Sequence, residues 1–278
     1  MMPRFASDAV AGRPVQVGVV IPTLNSAHTL EWTLLSLLRQ EGCEVRLVVA
    51  DSNSSDGTLE ICAKWNVSVI QVPAGNMYHA INAGLQTFDT EWVGYLNSDD
   101  ILYLDGLRRL VKAATQADAD VAYGGCDYLD PSGRFLYALT PAAPAYLRAL
   151  FRRGILPMAQ PATIIRRSLA LRLGGFSEQF RYAADYDFFA RAEASQARFV
   201  RLGRPGVAGF RLDDSQLSAR GAASVTKEVS EIRAAIPKGS MWSGVAAELH
   251  WRMENLDQTI VALLHAKTLR RRGHGGKR

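Results

Sequence analysis

A chain of 278 residues with 48% apolar and 21% charged residues can build one large α/β domain or two small ones and is too apolar for extensive disorder. Lys267, Arg270, Arg271, Arg272, Lys277 and Arg278 carry six positive charges with no acid after Asp257; against a total of +5, the remainder is −1. A nearly neutral body argues against nucleic acid as a partner, and no run reaches the roughly 18–20 apolar residues of a membrane-spanning helix.

The opening stretch MMPRFASDAVAGRPVQ lacks the apolar centre of a secretory signal, which points to a cytoplasmic protein. VQVGVVIP (15–22) is a β-branched run that reads as a strand. HTLEWTLLSLLRQ then places Leu30, Leu34, Leu35 and Leu38 on one helical face, with Asn25 or Ser26 as the cap. EVRLVVAD is a second strand, and GTLEICAKW a helix with Asp56 at its start. VSVIQV, MYHAINAGLQTF and EWVGYL continue as strand, helix and strand. Apolar strands separated by helices predict a mainly parallel sheet covered on both faces, whose ligand lies beyond the carboxyl ends of the strands. Those ends are the polar stretches 23–25, 51–56 and 97–100, which should converge.

DVAYGGCDYLDPSGRFLYAL reads as two strands around the turn Asp130-Pro131-Ser132-Gly133. PATIIRRSLALRLGGF is a strand and a short helix ending at Gly174-Gly175, AADYDFFARAEA a helix, and VAGFRLDDSQLS a strand entering a polar loop. Two helices follow residue 222, the last of them amphipathic. Cys43, Cys62 and Cys126 have no metal-ligand spacing and read as reduced thiols. The basic tail is either a solvated terminus or a contact with anionic lipid, the latter at ~1 kcal/mol per basic residue.

Three polar stretches carry candidate chemistry. In DSNSSDGT (51–58), Asp56 or Ser55 suits a helix cap, leaving Asp51 spare to accept from the N–H of a nucleotide base. In NSDD (97–100), adjacent carboxylates at a strand end are costly unless a hard cation such as Mg²⁺ or Mn²⁺ joins them; the other reading is that Asp99 or Asp100 caps a helix through LYLDGLRRLVKAA. In YAADYDFFAR (182–191), Asp187 and Arg191 are an i,i+4 pair expected on the surface. Asp185 diverges from Asp187 by roughly 200° on a helix; near the helix start it either complements the dipole alone or serves a neighbouring pocket as a base.

Taken together, VGVVIPTLNSAHTLEWTLLSLLRQ, DSNSSDGT, GNMYHAINAGL, YLNSDD and AADYDFFAR resemble the family 2 glycosyltransferases in order and spacing, over roughly Val17 to Ser218. The resemblance implies a GT-A fold and a non-processive, inverting transfer of a sugar from a nucleoside diphosphate to an acceptor hydroxyl. It implies a 15–220 transferase domain, with a donor-binding half at 15–127 and an acceptor half at 128–220. Residues 1–14 would then be a flexible N-terminus, and 221–278 helices with the basic tail. It places Thr23, Asn25, Asp51, Asn97 and Ser98 around the donor, Asp99 on a divalent cation (Mg or Mn), and Asp185 as the base. The partners implied are a UDP-, GDP- or dTDP-linked sugar and a glycan or glycolipid acceptor in bacterial cell-surface synthesis; the basic tail would add a peripheral contact at the inner membrane face if it meets lipid and not solvent.

Departures from the pattern stand at Asn97 and at Ala184, where the family often has acids, and at His79, which the resemblance sets near the donor phosphates or sugar. Asp213 and Asp214 fall where a late loop closes over the diphosphate, as an added metal ligand or as plain loop acids. Gln160, Trp242 and Trp251 are candidate acceptor contacts or ordinary packing residues. Two other readings are a non-catalytic nucleotide-sugar-binding protein and a sugar nucleotidyltransferase. The second conflicts with the lack of glycine and of Lys or Arg in IPTLNSAHTLEW. No G-x-G-x-x-G follows the first strand, which argues against a dinucleotide-binding oxidoreductase.

Overall fold

In the computed structural model, which describes residues 14–213, 221–237 and 239–256, the N-terminal half alternates strands and helices. β1 (Val15–Thr23) is followed by α1 (Leu30–Leu38), β2 (Cys43–Asp51) by α2 (Thr58–Lys64), and β3 (Ser68–Gln71) by α3 (Met77–Gln86). β4 (Trp92–Tyr95) leads into a two-residue β5 (Ile101–Leu102) before α4 (Gly106–Gln116). The second half adds β6 (Val121–Tyr123), β7 (Cys126–Leu129), β8 (Phe135–Leu139), α5 (Leu147–Phe151), β9 (Thr163–Arg166), α6 (Arg167–Arg172) and α7 (Ala184–Ala194). After these come β10 (Phe199–Arg201), β11 (Ala208–Arg211), α8 (Ala222–Ala235) and α9 (Met241–Glu254).

Seven strands form the central sheet in the order β10-β6-β9-β4-β1-β2-β3. All neighbours are parallel except at β9, which runs antiparallel to both β4 and β6. The mainly parallel sheet expected from the apolar runs is therefore present. Side chains of β1 alternate between its two faces, as a strand requires. Val17, Val19 and Ile21 join the core that contains Leu34 of α1 and Leu110 of α4; Val20 joins the core of Ile81 on α3 and Phe188 on α7. Gly84 lets α3 lie close to the sheet, since a Cβ there would stand 2.5 Å from Val20 Cγ1.

A second sheet, β5-β11-β7-β8, flanks the first. Its β7–β8 hairpin turns at the stretch predicted to do so: Gly133 N–H donates to the Asp130 carbonyl (2.9 Å), with Gly133 at φ +82°. DVAYGGCDYLDPSGRFLYAL nevertheless holds three strands, because Gly124-Gly125 break the run and send β6 into the central sheet and β7 into the small one.

Three local expectations need correction. α1 buries Leu30, Thr33, Leu34 and Leu37 and leaves Leu38 exposed, and its N-cap is Thr29; neither Asn25 nor Ser26 caps it with a side chain. No helix starts at Asp99 or Asp100. β5 pairs with β11 there, and α4 begins only at Gly106 behind Asp105. The Asp187–Arg191 pair exists (Oδ2 to Nε 2.7 Å) but is partly sequestered, with Arg191 also donating to the carbonyls of Leu173 and Gly175. Among the described residues no helix is long and apolar enough to cross a membrane. Residues 1–13, Asp214 and the basic tail lie outside the described residues.

Candidate active site

The loops after β1, β2 and β4 meet at the carboxyl ends of these strands, as their polar sequences predict. Ser52 N–H donates to the Thr23 carbonyl (2.9 Å), joining the first two. Asn25 takes a left-handed backbone (φ +53°), donates its N–H to Ser54 Oγ (2.8 Å), and accepts from Ser55 N–H at Oδ1 (2.8 Å). Short amide side chains tolerate this conformation better than most. Ser98 Oγ donates to Ser26 Oγ (2.8 Å), bringing in the third loop.

Asp51 is fully buried beneath this junction. Its Oδ1 accepts from Thr23 Oγ1 (3.1 Å) and from Ser54 Oγ, and its Oδ2 from Ser54 N–H (3.0 Å). The carboxylate is thus engaged in holding the loop and is not spare, as its sequence position had indicated. Asp56 behaves as expected: it accepts from Thr58 N–H (3.0 Å) at the start of α2 and also from Ala27 N–H (3.0 Å).

The two adjacent acids have separate environments. Asp100 is fully buried; it accepts from Arg211 N–H (3.0 Å) and Asn97 Nδ2 (3.2 Å), and its carbonyl accepts from Thr33 Oγ1 (2.8 Å). Burial, and then the charge of Asp99, push its carboxyl well above the usual range, so the pair need not carry two adjacent charges. Asp99 is half-buried on the cleft wall, where Arg211 Nε binds its carbonyl (3.0 Å). Asn97 Oδ1 is a buried acceptor without a hydrogen-bond partner.

A cleft of about 750 Å³ opens over these strand ends. Thr23, Asn25, Ser98 and Asp99 line it together with Asp185 from the first turn of α7. Asp187 lines a different cavity, of about 570 Å³, so the two acids of α7 do face apart. Asp185 Oδ1 accepts from Tyr186 N–H (2.8 Å), and the Tyr78 hydroxyl of α3 reaches it at 3.5 Å. Burial pushes the carboxyl up to about 6 despite these donors. A carboxylate that titrates near neutral pH in a cleft is suited to taking a proton from a hydroxyl.

Other sequence candidates divide. Gln160 lines the cleft, donating through Nε2 to the Tyr95 carbonyl (2.7 Å), and its Oε1 is buried without a partner. Asp213 also lines the cleft. His79 pairs with Glu178 (3.0 Å) and does not line it. Trp251 is a packing residue, its Nε1 donating to the Thr140 carbonyl (2.9 Å), whereas Trp242 is exposed on α9. Sequence reading missed Arg211, which braces the Asp99 carbonyl and the Asp100 carboxyl. It also missed Glu228 on α8, which accepts from the N–H groups of Arg181, Tyr182 and Ala183 (2.9 Å each) ahead of α7. Neither sits in a local motif that would have marked it.

The oxygen donors suit a hard divalent cation: Asp99 and the partnerless Asn97 Oδ1 both belong to cleft residues. Among the described residues no group of three or more His, Cys, Asp or Glu stands together. An ion held by Asp99 and Asn97 would complete its shell from phosphate and water.

Known proteins share this organisation. The model of the family "Glycosyl transferase family 2" matches residues 18–174, more than half of the chain. A PGL/p-HBAD biosynthesis glycosyltransferase of Mycobacterium bovis (strain BCG / Pasteur 1173P2) is 30% identical over 200 residues, spanning 69% of this chain and 75% of that protein. Among solved structures, S. aureus TarS 1–349 in complex with UDP-GlcNAc has a TM-score of 0.63 at 19% identity, covering 86% of this chain and 73% of that one. The mannosyltransferase PcManGT from Pyrobaculum calidifontis in complex with GDP-Man and Mn²⁺ has a TM-score of 0.58 at 18% identity, covering 91% and 80%. These two share the fold. The family match and the mycobacterial relative go further: the chain belongs to glycosyl transferase family 2 and is a glycosyltransferase.

Proposed function

We propose that the cleft binds a nucleoside-diphosphate sugar over the ends of β1, β2 and β4, and that Asp185 deprotonates the acceptor hydroxyl during an inverting transfer. One observation carries this reading: a carboxyl raised to about 6 lines the same cleft as the Asn97–Asp99 oxygens and the Thr23–Asn25 loop. As the acceptor oxygen bonds to the anomeric carbon, the bond to the diphosphate oxygen breaks, and the hydroxyl proton passes to Asp185 Oδ. General-base help of this kind is worth ~10²–10⁴-fold.

Thr23, Asn25 and Ser98 present hydroxyl and amide groups to the base and ribose. Asp51 supports them from below, with three of its roughly four acceptor sites taken by Thr23 and Ser54. Asp99, with Asn97 Oδ1, would hold Mg²⁺ or Mn²⁺, and such a cation supplies Lewis-acid stabilisation of the departing diphosphate. The complexes of TarS with UDP-GlcNAc and of PcManGT with GDP-Man and Mn²⁺ support both groups as ligands of this fold. The 15–127 half then binds donor, and the 128–220 half faces a glycan or glycolipid acceptor. The biosynthetic relative supports a role in bacterial surface glycan or glycolipid assembly.

A thermal-shift panel of UDP-, GDP- and dTDP-sugars, with and without Mn²⁺, tests the donor assignment. Stabilisation by one nucleotide class that depends on the cation and is lost in Asp99→Ala is expected. No shift with any donor would overturn it.

A further inference from the structure

We propose that Glu228 is a positioning residue for Asp185: from α8 it grips the turn that delivers the first turn of α7 into the cleft. This rests on Asp185 being the base of the transfer.

The first N–H groups of a helix, and those of the turn leading into it, need acceptors. No local side chain serves the N–H groups ahead of α7: its N-cap is Ala183, with no side-chain cap, Ala184 carries no polar group, and Asp185 Oδ1 accepts only from Tyr186 N–H inside the first turn. Glu228 supplies acceptors from 45 to 47 residues away. Its Oε1 accepts from Arg181 N–H, and its Oε2 from both Tyr182 N–H and Ala183 N–H, all at 2.9 Å. The same turn is held from the other side by α3, where the Tyr78 hydroxyl donates to the Tyr182 carbonyl (3.3 Å). Glu228 is itself well seated, since Ile232 of α8 is buried in the core that includes Phe188 and Phe189 of α7, with Val229 packed against it.

A carboxylate at the positive end of a helix is favourable there. It is also a negative charge close to Asp185, and it acts with burial in raising that carboxyl, whereas the Tyr186 N–H and Tyr78 hydroxyl oppose it. The titratable groups facing Asp185 are Tyr78 of α3, Tyr95 at the end of β4 and Glu228 of α8. Glu228 is the one among them that is a carboxylate. It therefore fixes where Asp185 sits and tunes how readily it ionises.

A cap that only stabilised α7 would alter stability and nothing else, which gives a clean test in the full chain. The difference in unfolding free energy between wild type and Asp185→Asn, followed with pH, levels off at the folded-state titration midpoint of Asp185, which it reports without any substrate. In a Glu228→Gln background its midpoint should move down by roughly half a unit, and in Glu228→Asp it should stay near the wild-type value. With a donor identified by the thermal-shift panel, Glu228→Gln should lower kcat about 10- to 100-fold. The affinity for the nucleoside diphosphate, read by calorimetry, should be unchanged.

An unmoved midpoint in Glu228→Gln overturns the proposal, whatever the loss of stability. Absence of turnover in the wild type with every donor would count against the transferase reading of the cleft, and the midpoint would still decide the role of Glu228. Glu228→Gln and Glu228→Asp keep at least one acceptor oxygen, so the test does not depend on the more disruptive Glu228→Ala.

Discussion

Replacing Asp185 by Asn should stabilise the protein above about pH 6 while disabling it. Burial lifts this carboxyl from its ordinary 3.8 to about 6, and the donors around it do not reverse the effect. A rise of roughly two units amounts to about 3 kcal/mol of disfavoured ionisation at neutral pH. That is an upper bound, because the residue keeps some solvent contact. The folded-state value lies above the unfolded one, so the native state holds the proton more tightly. Wild-type stability is then complete below about pH 4, declines as the proton leaves between pH 4 and 6, and is level above that. The amide is uncharged throughout and its Oδ1 can still accept from Tyr186 N–H. The difference, variant minus wild type, should be near zero at about pH 4 and reach about 2–3 kcal/mol above pH 6.5. Urea unfolding at stepped pH measures it, provided the m-values agree. A difference independent of pH, or a variant less stable than wild type at pH 7, would refute the claim that Asp185 is ionised against its surroundings.

The same burial sets a catalytic limb: kcat/KM should fall tenfold per pH unit below about 6, and a limb near pH 4 would contradict it. Asp99→Ala should weaken nucleoside-diphosphate binding only when Mn²⁺ or Mg²⁺ is present; calorimetry showing equal loss with and without the cation would remove Asp99 from the metal. Gly84→Ala should cost about 1–3 kcal/mol in urea unfolding, since its Cβ meets the β-branched Val20 that cannot swing away. Arg191→Ala should cost about 2–4 kcal/mol by leaving the Asp187 charge and two carbonyls without their donor, and a loss below about 1 kcal/mol would mean the pair is solvated after all.

Much of the donor side was legible because its signals are local. β1 and β2 are β-branched runs ending in polar turns, and an apolar strand buried on both faces has few other folds open to it. Asp56 accepting from Thr58 N–H at the start of α2 and Gly133 turning the hairpin follow from residue type and spacing alone. What failed was set by distant partners. Asp100 looked like a helix cap, yet β11, more than a hundred residues on, offers Arg211 N–H to it and a strand partner to Ile101 and Leu102. Asp51 looked spare because nothing in DSNSSDGT shows that Thr23 and Ser54 would claim both of its oxygens. The sequestration of Asp187–Arg191 depends on the Leu173 and Gly175 carbonyls, which lie outside its helix. Glu228 was invisible for the same reason, as an ordinary acid on an ordinary helix whose partners precede another one.

The central claim is that Asp185 takes the acceptor proton while other residues hold the donor. Transfer by wild type and Asp185→Asn, measured with the donor found by thermal shift alongside calorimetry of the nucleoside diphosphate, tests it most directly. Asp185→Asn should lose about 10²–10⁴-fold in kcat with affinity unchanged. Turnover of Asp185→Asn at the wild-type rate would contradict it.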